Sequence, residues 1–284
     1  MKLKLILLIL SIHKKAIDNT KLKIHMKIVI SESDKKELQL AKHLLENPGV
    51  AAKLTSIIGT PIEKGFEKLP KNWKAKIGEI TQKSLLKAAD AAIFTMNENY
   101  NEEPSNKWYK LSVAASGGIG GLFGLAALAI ELPISTTIML RSIADIARSQ
   151  GELITEYESK LACLEVFALG GESKSDDATE SGYFFIRAAL ATSVTEALAA
   201  RTATEKSAPA LIKFIVNITQ RFGIQISEKA AAQAIPIIGA AGGALINTIF
   251  IDHFQDMAKG HFTVRKLERI YGQDLIKETY DLLD

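Results

Sequence analysis

The chain has 284 residues, 47% of them hydrophobic, which is enough to build a substantial core. Its formal net charge of +3 is concentrated at the start, because residues 1–25 hold six lysines and one aspartate. The rest of the chain is nearly neutral, which excludes an electrostatic basis for nucleic-acid binding. The single cysteine, Cys163, cannot form an intramolecular disulfide, so a reducing compartment suits the protein.

The first 25 residues differ from the rest. The apolar run Leu5–Leu10 follows a basic start, but no small-residue cleavage site comes after it. A second methionine, Met26, opens a stretch that reads as the ordinary start of a helical protein. We therefore predict that residues 1–25 are an N-terminal extension, either from a mis-assigned start or acting as a weak anchor. Residues 26–284 are predicted to form a single helical domain.

The fold class predicted for the chain is all-α, because helical periodicity with helix-end signals recurs throughout and alternating strand patterns are almost absent. Ser33 is the expected N-cap of the first helix, and Thr155 with Glu158 forms an expected capping box. In chain order, helices are predicted at about 33–45, 73–96, 133–148, 155–170, 180–200, 209–222 and 228–259, with short ones after Thr263 and Gly272 and a break near Pro236 and Gly239. Two polar stretches, 97–106 and 172–181, are predicted loops.

Two segments are rich in glycine and alanine. Twenty uncharged residues separate Lys110 from Glu131, and 22 separate Lys229 from Asp252. Both are long enough to span a bilayer, yet few of their residues are large and apolar, so either membrane insertion or a buried soluble helix pair is consistent with them. Glycines four residues apart favour close helix packing, which predicts a multi-helix bundle with a central, tightly packed pair of glycine/alanine-rich helices. The glycines of the predicted contact are Gly117, Gly120, Gly121, Gly124, Gly239, Gly242 and Gly243.

The same glycines do not form a nucleotide-binding loop. In "GIGGLFG", residues 118–124, Phe123 occupies the place of the third glycine of a dinucleotide fingerprint, and no alternation of strands and helices follows. The chain contains no GxxxxGK[ST] sequence, so a P-loop is excluded. No cofactor is expected.

Several charged residues stand alone in apolar surroundings. Glu131 and Glu165 each lie in a long apolar stretch, and Arg187 is isolated in "SGYFFIRAALATSV". Buried charges are usually paired, so an ion pair of Arg187 with Glu131 or Glu165 is expected, and Arg141 is expected to pair with Asp145 on one helix face. The alternative is a polar pocket that would serve a hydrolase or small-ligand enzyme. The candidate cluster comprises Glu131, Arg141, Asp145, Glu165, Arg187, Asp252, His253 and Asp256.

Metal-compatible side chains occur near the C-terminus in "DHFQDMAKGHF", but their spacing matches no zinc or di-metal signature. No metal is expected. The basic run Arg265, Lys266 and Arg269 has the spacing of a solvated helix face.

Three stretches of the chain resemble the EcsC family: "ELPISTTIMLRSIADIARSQGE", "CLEVFALGG" and "IPIIGAAGGALINTIFIDHFQDMAKGHFTVRKLERIYG". The resemblance runs from about Trp73 to Gly272. It implies a bacterial helical protein, cytoplasmic or at the cytoplasmic face of the membrane, and an association with an ABC exporter, because the family's namesake is encoded beside one. It implies no catalytic residue.

Three functions follow as hypotheses. The first is a non-enzymatic, membrane-associated or export-related accessory protein whose partner is membrane lipid or a membrane protein. The second is the carboxylate-based hydrolase or small-ligand enzyme, with or without a metal. The third is a scaffold that self-associates into a homo-oligomer through its glycine faces.

Overall fold

In a computed structural model of the protein, every regular element of the described residues is a helix, which confirms the all-α prediction. The residues described are 29–46, 49–59, 61–95, 125–170, 182–200, 207–235 and 239–283. The helices are α1 (Glu32–Leu45), α2 (Val50–Ile58), α3 (Glu63–Phe66), α4 (Trp73–Thr95), α5 (Leu125–Ser149), α6 (Tyr157–Glu165), a 3-10 turn (Val166–Ala168), α7 (Gly182–Ala200), α8 (Ser207–Gln233), α9 (Gly239–Tyr271) and α10 (Gln273–Leu282).

The chain divides into two compact units, residues 1–35 and 36–284. In the first unit, the described residues include the first turn of α1. There the Ser31 hydroxyl accepts a hydrogen bond from the Asp34 backbone N–H at 3.1 Å, as an N-cap does. The cap is therefore Ser31, and the prediction of Ser33 was wrong by two residues.

The second unit is organised around α8 and α9. Four buried phenylalanine rings meet at its centre, from the 3-10 turn, from α8 and from α9. The ring of Phe167 lies 4.8 Å from that of Phe222 and 5.2 Å from that of Phe254, and Phe250 lies 5.4 Å from Phe254. Aromatic pairs at such distances add to the stabilisation from burial alone. Helix α5 packs against α4 and α9, and α8 also contacts α3, α4 and α7.

Four predicted helix boundaries need correction. Pro133 lies inside α5 rather than at its start, and Ala129, whose carbonyl loses its intrahelical donor, is on the exposed side. Helix α8 continues through Gly223 to Gln233, and α9 continues past Thr263 to Tyr271. Helix α6 begins at Tyr157, so its N-cap is Glu156 rather than Thr155, and the predicted capping box was placed one residue too early. The break around Pro236 was predicted correctly, since α8 ends at Gln233 and α9 begins at Gly239.

Of the predicted helix pair, residues 125–131 lie in α5 and residues 239–251 lie in α9, and α5 and α9 are in contact. Gly242 and Gly243 are buried in α9, and Gly239 is its first residue. Gly117, Gly120, Gly121 and Gly124 lie outside the described residues, as do both predicted loops. Among the helices that are described, none has the combination of length and apolar character that crossing a membrane requires.

Candidate functional site

Glu131 lies at the junction of three helices. The Lys229 ammonium of α8 donates to both oxygens of this α5 carboxylate, at 3.0 and 2.9 Å, and Asn247 of α9 donates to Oε1 at 3.0 Å. The side chains of Lys229 and Glu131 are 0% and 3% exposed. A buried carboxylate needs such partners, because an uncompensated charge away from water is costly. The partner of Glu131 is thus Lys229, and the predicted bridge to Arg187 was wrong.

Arg187 binds Glu268 instead. Its guanidinium makes two hydrogen bonds to this α9 carboxylate, at 2.6 and 3.0 Å, in the bidentate geometry that arginine favours. Burial by itself lowers the pKa of Arg187, but the neighbouring Tyr183 and Glu268 outweigh it and the net pKa is raised. The α7–α9 interface therefore contains a bidentate ion pair.

A chain of polar groups extends from this pair into the interior. Arg187 lies 3.4 Å from the Tyr183 hydroxyl, which lies 3.0 Å from Nδ1 of His261. Arginine can only donate, so the Tyr183 hydroxyl accepts a hydrogen bond from it. The hydroxyl can then donate its own hydrogen to Nδ1 of His261, in which case the imidazole proton of His261 is on Nε2. That nitrogen is 3.8 Å from Oε2 of Glu165. Burial lowers the pKa of His261 well below its ordinary value, with Arg187 adding to the effect.

Glu165 is a buried carboxyl with a high proton affinity. Burial raises its pKa from 4.5 to about 7, and the positive charges of Arg187 and Arg265 only partly oppose this. Glu165 can therefore exchange a proton near neutral pH, as a general acid or base must.

The other acidic candidates form ion pairs at separate places. Asp145 binds Arg148 at 2.9 Å, and Asp256 lies 3.8 Å from Lys53 and 3.3 Å from Lys259. Arg141 is exposed and Asp252 is half-buried. Of the eight predicted residues, Glu165 and Arg187 share one neighbourhood, and His253 and Asp256 share another beside Lys53.

His253 is fully buried, and neither ring nitrogen has a hydrogen-bond partner among the residues that the structure describes. Burial lowers its pKa to about 3, assisted by the charge of Lys53, so the ring is neutral at physiological pH. The His253 ring packs against Gly170, and a Cβ at that residue would lie 2.4 Å from the ring. The positive φ of Gly170, 76°, also favours glycine. Over the described ranges, no group of three or more potential ligands could hold a metal ion.

A groove of about 670 Å³ lies between α4 and α8, and residues of α2 and α3 also line it. The lining includes a stacked pair, Phe66 and Trp73, whose ring centroids are 5.3 Å apart. Both long helices contribute a glycine, Gly78 and Gly223. The groove is lined by Ala51, Ile62, Glu63, Phe66, Trp73, Lys74, Ile77, Gly78, Gln82, Val216, Thr219, Gln220, Gly223, Ile224, Ser227 and Glu228.

The outer side of α5 is apolar and exposed. Ile130 is 69% exposed and Ile134, one turn later, is 48% exposed. Arg141 follows two turns further on and is also exposed. The inner side of the same helix carries Glu131, so α5 is held to α8 on one side and presents apolar residues to solvent on the other.

Comparison with protein families gives a match to the EcsC protein family over residues 32–267, most of the chain. The chain belongs to the EcsC family. Comparisons with curated proteins and with solved structures give no significant match. The EcsC match begins well before Trp73, so it includes α1 and the groove-forming helices α2 and α3, to which the sequence resemblance had not extended.

Sequence reasoning missed several polar residues of this EcsC domain. Arg265 and Arg269 both bind Glu152, which also accepts a hydrogen bond from Ser159 at 2.9 Å. The basic run is therefore not simply a solvated face, as the pattern predicted. The i, i+4 spacing of Arg265 and Arg269 was the signal present in the sequence. It places both arginines on one face of the helix, where a single carboxylate can bind both. Nothing near Glu152 in the sequence identified it as that carboxylate.

Proposed function

We propose that this EcsC-family protein is a non-enzymatic accessory protein of the bacterial cytoplasm that binds the cytoplasmic face of the membrane and is related to export. The observation that carries the proposal is the exposed apolar side of α5, with Ile130 and Ile134. This helix continues a run of 20 uncharged residues, 111–130. Exposed apolar side chains that adjoin each other on a helix are typical of surfaces that meet lipid or a membrane partner.

The order of residues along α5 suits a membrane surface. Ile130 and Ile134 would enter the boundary between headgroups and acyl chains, and Arg141 on the same side would remain at the level of the lipid phosphates. The buried pair of Glu131 and Lys229 would hold the helix in place while it does so. This arrangement requires insertion of side chains only, which agrees with the absence of a bilayer-spanning helix among those described.

The hydrolase alternative has less support. It requires the candidate carboxylates to converge on one pocket with raised pKa values. Asp145 and Asp256 instead pair with nearby cations, and Glu131 is neutralised by Lys229. Glu165 has the raised pKa that the alternative requires, but it does not line the groove between α4 and α8.

The proposal is tested by vesicle flotation of the full-length protein. Binding to vesicles of phosphatidylcholine and phosphatidylglycerol is measured for the wild type and the double variant Ile130→Ser/Ile134→Ser. The control is Leu153→Ser, which alters another exposed apolar side chain. Each isoleucine that enters the bilayer contributes about 1.5–3 kcal/mol, so the double variant is expected to bind at least 100-fold more weakly. Leu153→Ser should bind as the wild type does. A wild type that stays with the soluble fraction, or a double variant that floats equally well, would overturn the proposal.

A further inference from the structure

The corner between α3 and α4, residues 63–76, carries an excess of positive charge. It contains five lysines and two glutamates, in a part of the chain that is otherwise nearly neutral. The five lysine side chains are all exposed: Lys64, Lys68, Lys71, Lys74 and Lys76. Within the described part of the chain, none of them forms an ion pair, whether with Glu63 and Glu67 or with another carboxylate. The corner therefore presents a net positive charge to its surroundings.

Helix stability does not account for these lysines. Helix α4 begins at Trp73, and its first turn contains Lys74 and Lys76 but no acidic residue. The N-terminal end of a helix is the positive end of its dipole and favours acidic side chains, so lysine there is unfavourable in the free protein. An anionic surface beside the corner reverses this contribution.

Packing holds the corner in place. A Cβ at Gly65 of α3 would stand 2.0 Å from the Ala231 carbonyl oxygen of α8, so glycine is what allows the two helices to approach this closely. The rings of Phe66 and Trp73 stack with their centroids 5.3 Å apart, which joins α3 to the start of α4. Trp73 is only half-buried, and Nζ of Lys74 lies 5.6 Å from the centre of its ring. Lysines around a partly exposed tryptophan are typical of surfaces that lie at the boundary between membrane and water.

The corner lies at the same end of α8 as the apolar side of α5. Gly65 meets α8 at Ala231, and Glu131 of α5 pairs with Lys229 of α8. These two contact points are two residues apart, or about 3 Å along the helix axis. Both are close to the C-terminal end of α8 at Gln233. The corner and α5 at Glu131 are therefore at about the same level along α8.

We propose that the α3–α4 corner binds the headgroups of anionic phospholipids. Charge complementarity carries the interaction, because clustered lysines are attracted to the negative potential of a membrane that contains anionic lipid. Trp73 would lie at the level of the headgroups, where its amphipathic ring is stable. The inference rests on the membrane function proposed above and specifies its lipid class, since Ile130 and Ile134 do not by themselves distinguish anionic from neutral lipid.

Flotation with two kinds of vesicle separates the corner from the apolar surface of α5. The full-length protein is mixed with vesicles of phosphatidylcholine alone or of phosphatidylcholine with phosphatidylglycerol, and the ratio of the two affinities measures the preference for anionic lipid. The corner variant leaves Lys74 beside Trp73 and replaces the other four lysines: Lys64→Gln/Lys68→Gln/Lys71→Gln/Lys76→Gln. The matched control replaces four exposed lysines elsewhere: Lys35→Gln/Lys36→Gln/Lys87→Gln/Lys213→Gln.

The corner variant is expected to lose at least tenfold of the preference for phosphatidylglycerol and to bind phosphatidylcholine as the wild type does. The control should keep the preference, although its net charge is the same as that of the corner variant. Residues 1–25 are identical in all three proteins, so their six lysines contribute equally. The thermal midpoint of the corner variant should not fall, because the substituted side chains are exposed.

Trp73 reports whether the corner itself meets the membrane. The chain has two tryptophans, so Trp108→Phe leaves Trp73 as the single donor for energy transfer to a dansyl group on a lipid headgroup. In this background, vesicles that contain phosphatidylglycerol should give saturable transfer. Adding the four corner substitutions should raise the half-saturating lipid concentration at least tenfold.

The outcomes distinguish the corner from the apolar surface. An undiminished preference in the corner variant, while Ile130→Ser/Ile134→Ser still weakens binding to both vesicles, would overturn the corner and leave the membrane function standing. Loss of the preference in the control as well would also overturn it, because net charge alone would then explain the binding. So would a DNA duplex that the wild type binds as tightly as the anionic vesicles and the corner variant does not bind. A wild type that floats with neither vesicle would overturn both proposals.

Discussion

Glu165 shows how a single buried carboxyl makes stability depend on pH. Below pH 4.5 the group is protonated in both the folded and the unfolded chain. Between pH 4.5 and about 7 only the unfolded chain releases the proton, because burial keeps the pKa of the folded carboxyl at about 7. The free energy of unfolding therefore falls as the pH rises through this window, by about 3 kcal/mol in total.

Glu165→Gln should remove that slope, since glutamine does not titrate. His253 and His261, whose pKa values are lowered by burial, give both proteins a loss of stability as the pH falls below 6.5, so their effect cancels in the difference. Urea unfolding followed by circular dichroism at pH 5, 6, 7 and 8 measures the difference. We expect the variant to gain about 3 kcal/mol over the wild type between the first and last pH. Parallel profiles for the two proteins would show that Glu165 is ionised in the folded state throughout.

At this scale the sequence indicated which charges would be buried but not their partners. Glu131, Glu165 and Arg187 were identified because each stands alone in an apolar stretch. Lys229 and Glu268 were not, because each lies in a segment with other charges and looks like an ordinary surface residue. Which buried charges meet depends on the packing of α7, α8 and α9, and local sequence does not contain that information.

At the scale of helices, the ion pair of Glu131 and Lys229 joins α5 to α8, and Asn247 extends the junction to α9. Lys229→Met should destabilise the protein by about 3–5 kcal/mol, because it leaves a buried carboxylate without its cation. Adding Glu131→Gln should recover more than half of that loss, since the charge is removed while the acceptor for Asn247 remains. Urea unfolding of the wild type, both single variants and the double variant measures the coupling. Additive losses would show that the two charges do not depend on each other.

Helix ends were predictable where a residue prevents the helix from continuing, and were misplaced where the sequence only suggests a stop. Helix α8 ends at Gln233, shortly before Pro236 in the sequence, as expected because proline lacks an N–H and disfavours the helical conformation of the residue before it. Gly223 and Thr263 weaken a helix without ending it, and in α8 and α9 buried side chains on both sides of each residue keep the helix continuous. Pro133 was predicted to begin a helix because proline disrupts the hydrogen bonding of a helix interior, but α5 extends in the N-terminal direction to Leu125.

For the whole molecule, the all-α class and the family were accessible from the sequence, because both depend on patterns that extend over tens of residues. The groove between α4 and α8 was not predicted. Its walls come from segments about 140 residues apart in the chain, and neither glycine stands out from the many others in the sequence. A concave surface of this kind depends on how helices are placed relative to one another.

The four central phenylalanines predict that residues 36–284 unfold as one cooperative unit, because the ring cluster joins the 3-10 turn to α8 and α9. Phe222→Ala removes the ring that lies 4.8 Å from Phe167 and 5.4 Å from Phe254, and should cost about 3–5 kcal/mol through lost contacts and the cavity left behind. The control Ile224→Ala, on the exposed side of the same helix, should cost less than about 1 kcal/mol. Thermal unfolding followed by near- and far-ultraviolet circular dichroism should give coincident transitions for all three proteins, with a lower midpoint for Phe222→Ala. Two separated transitions would mean that α8 and α9 do not share one core.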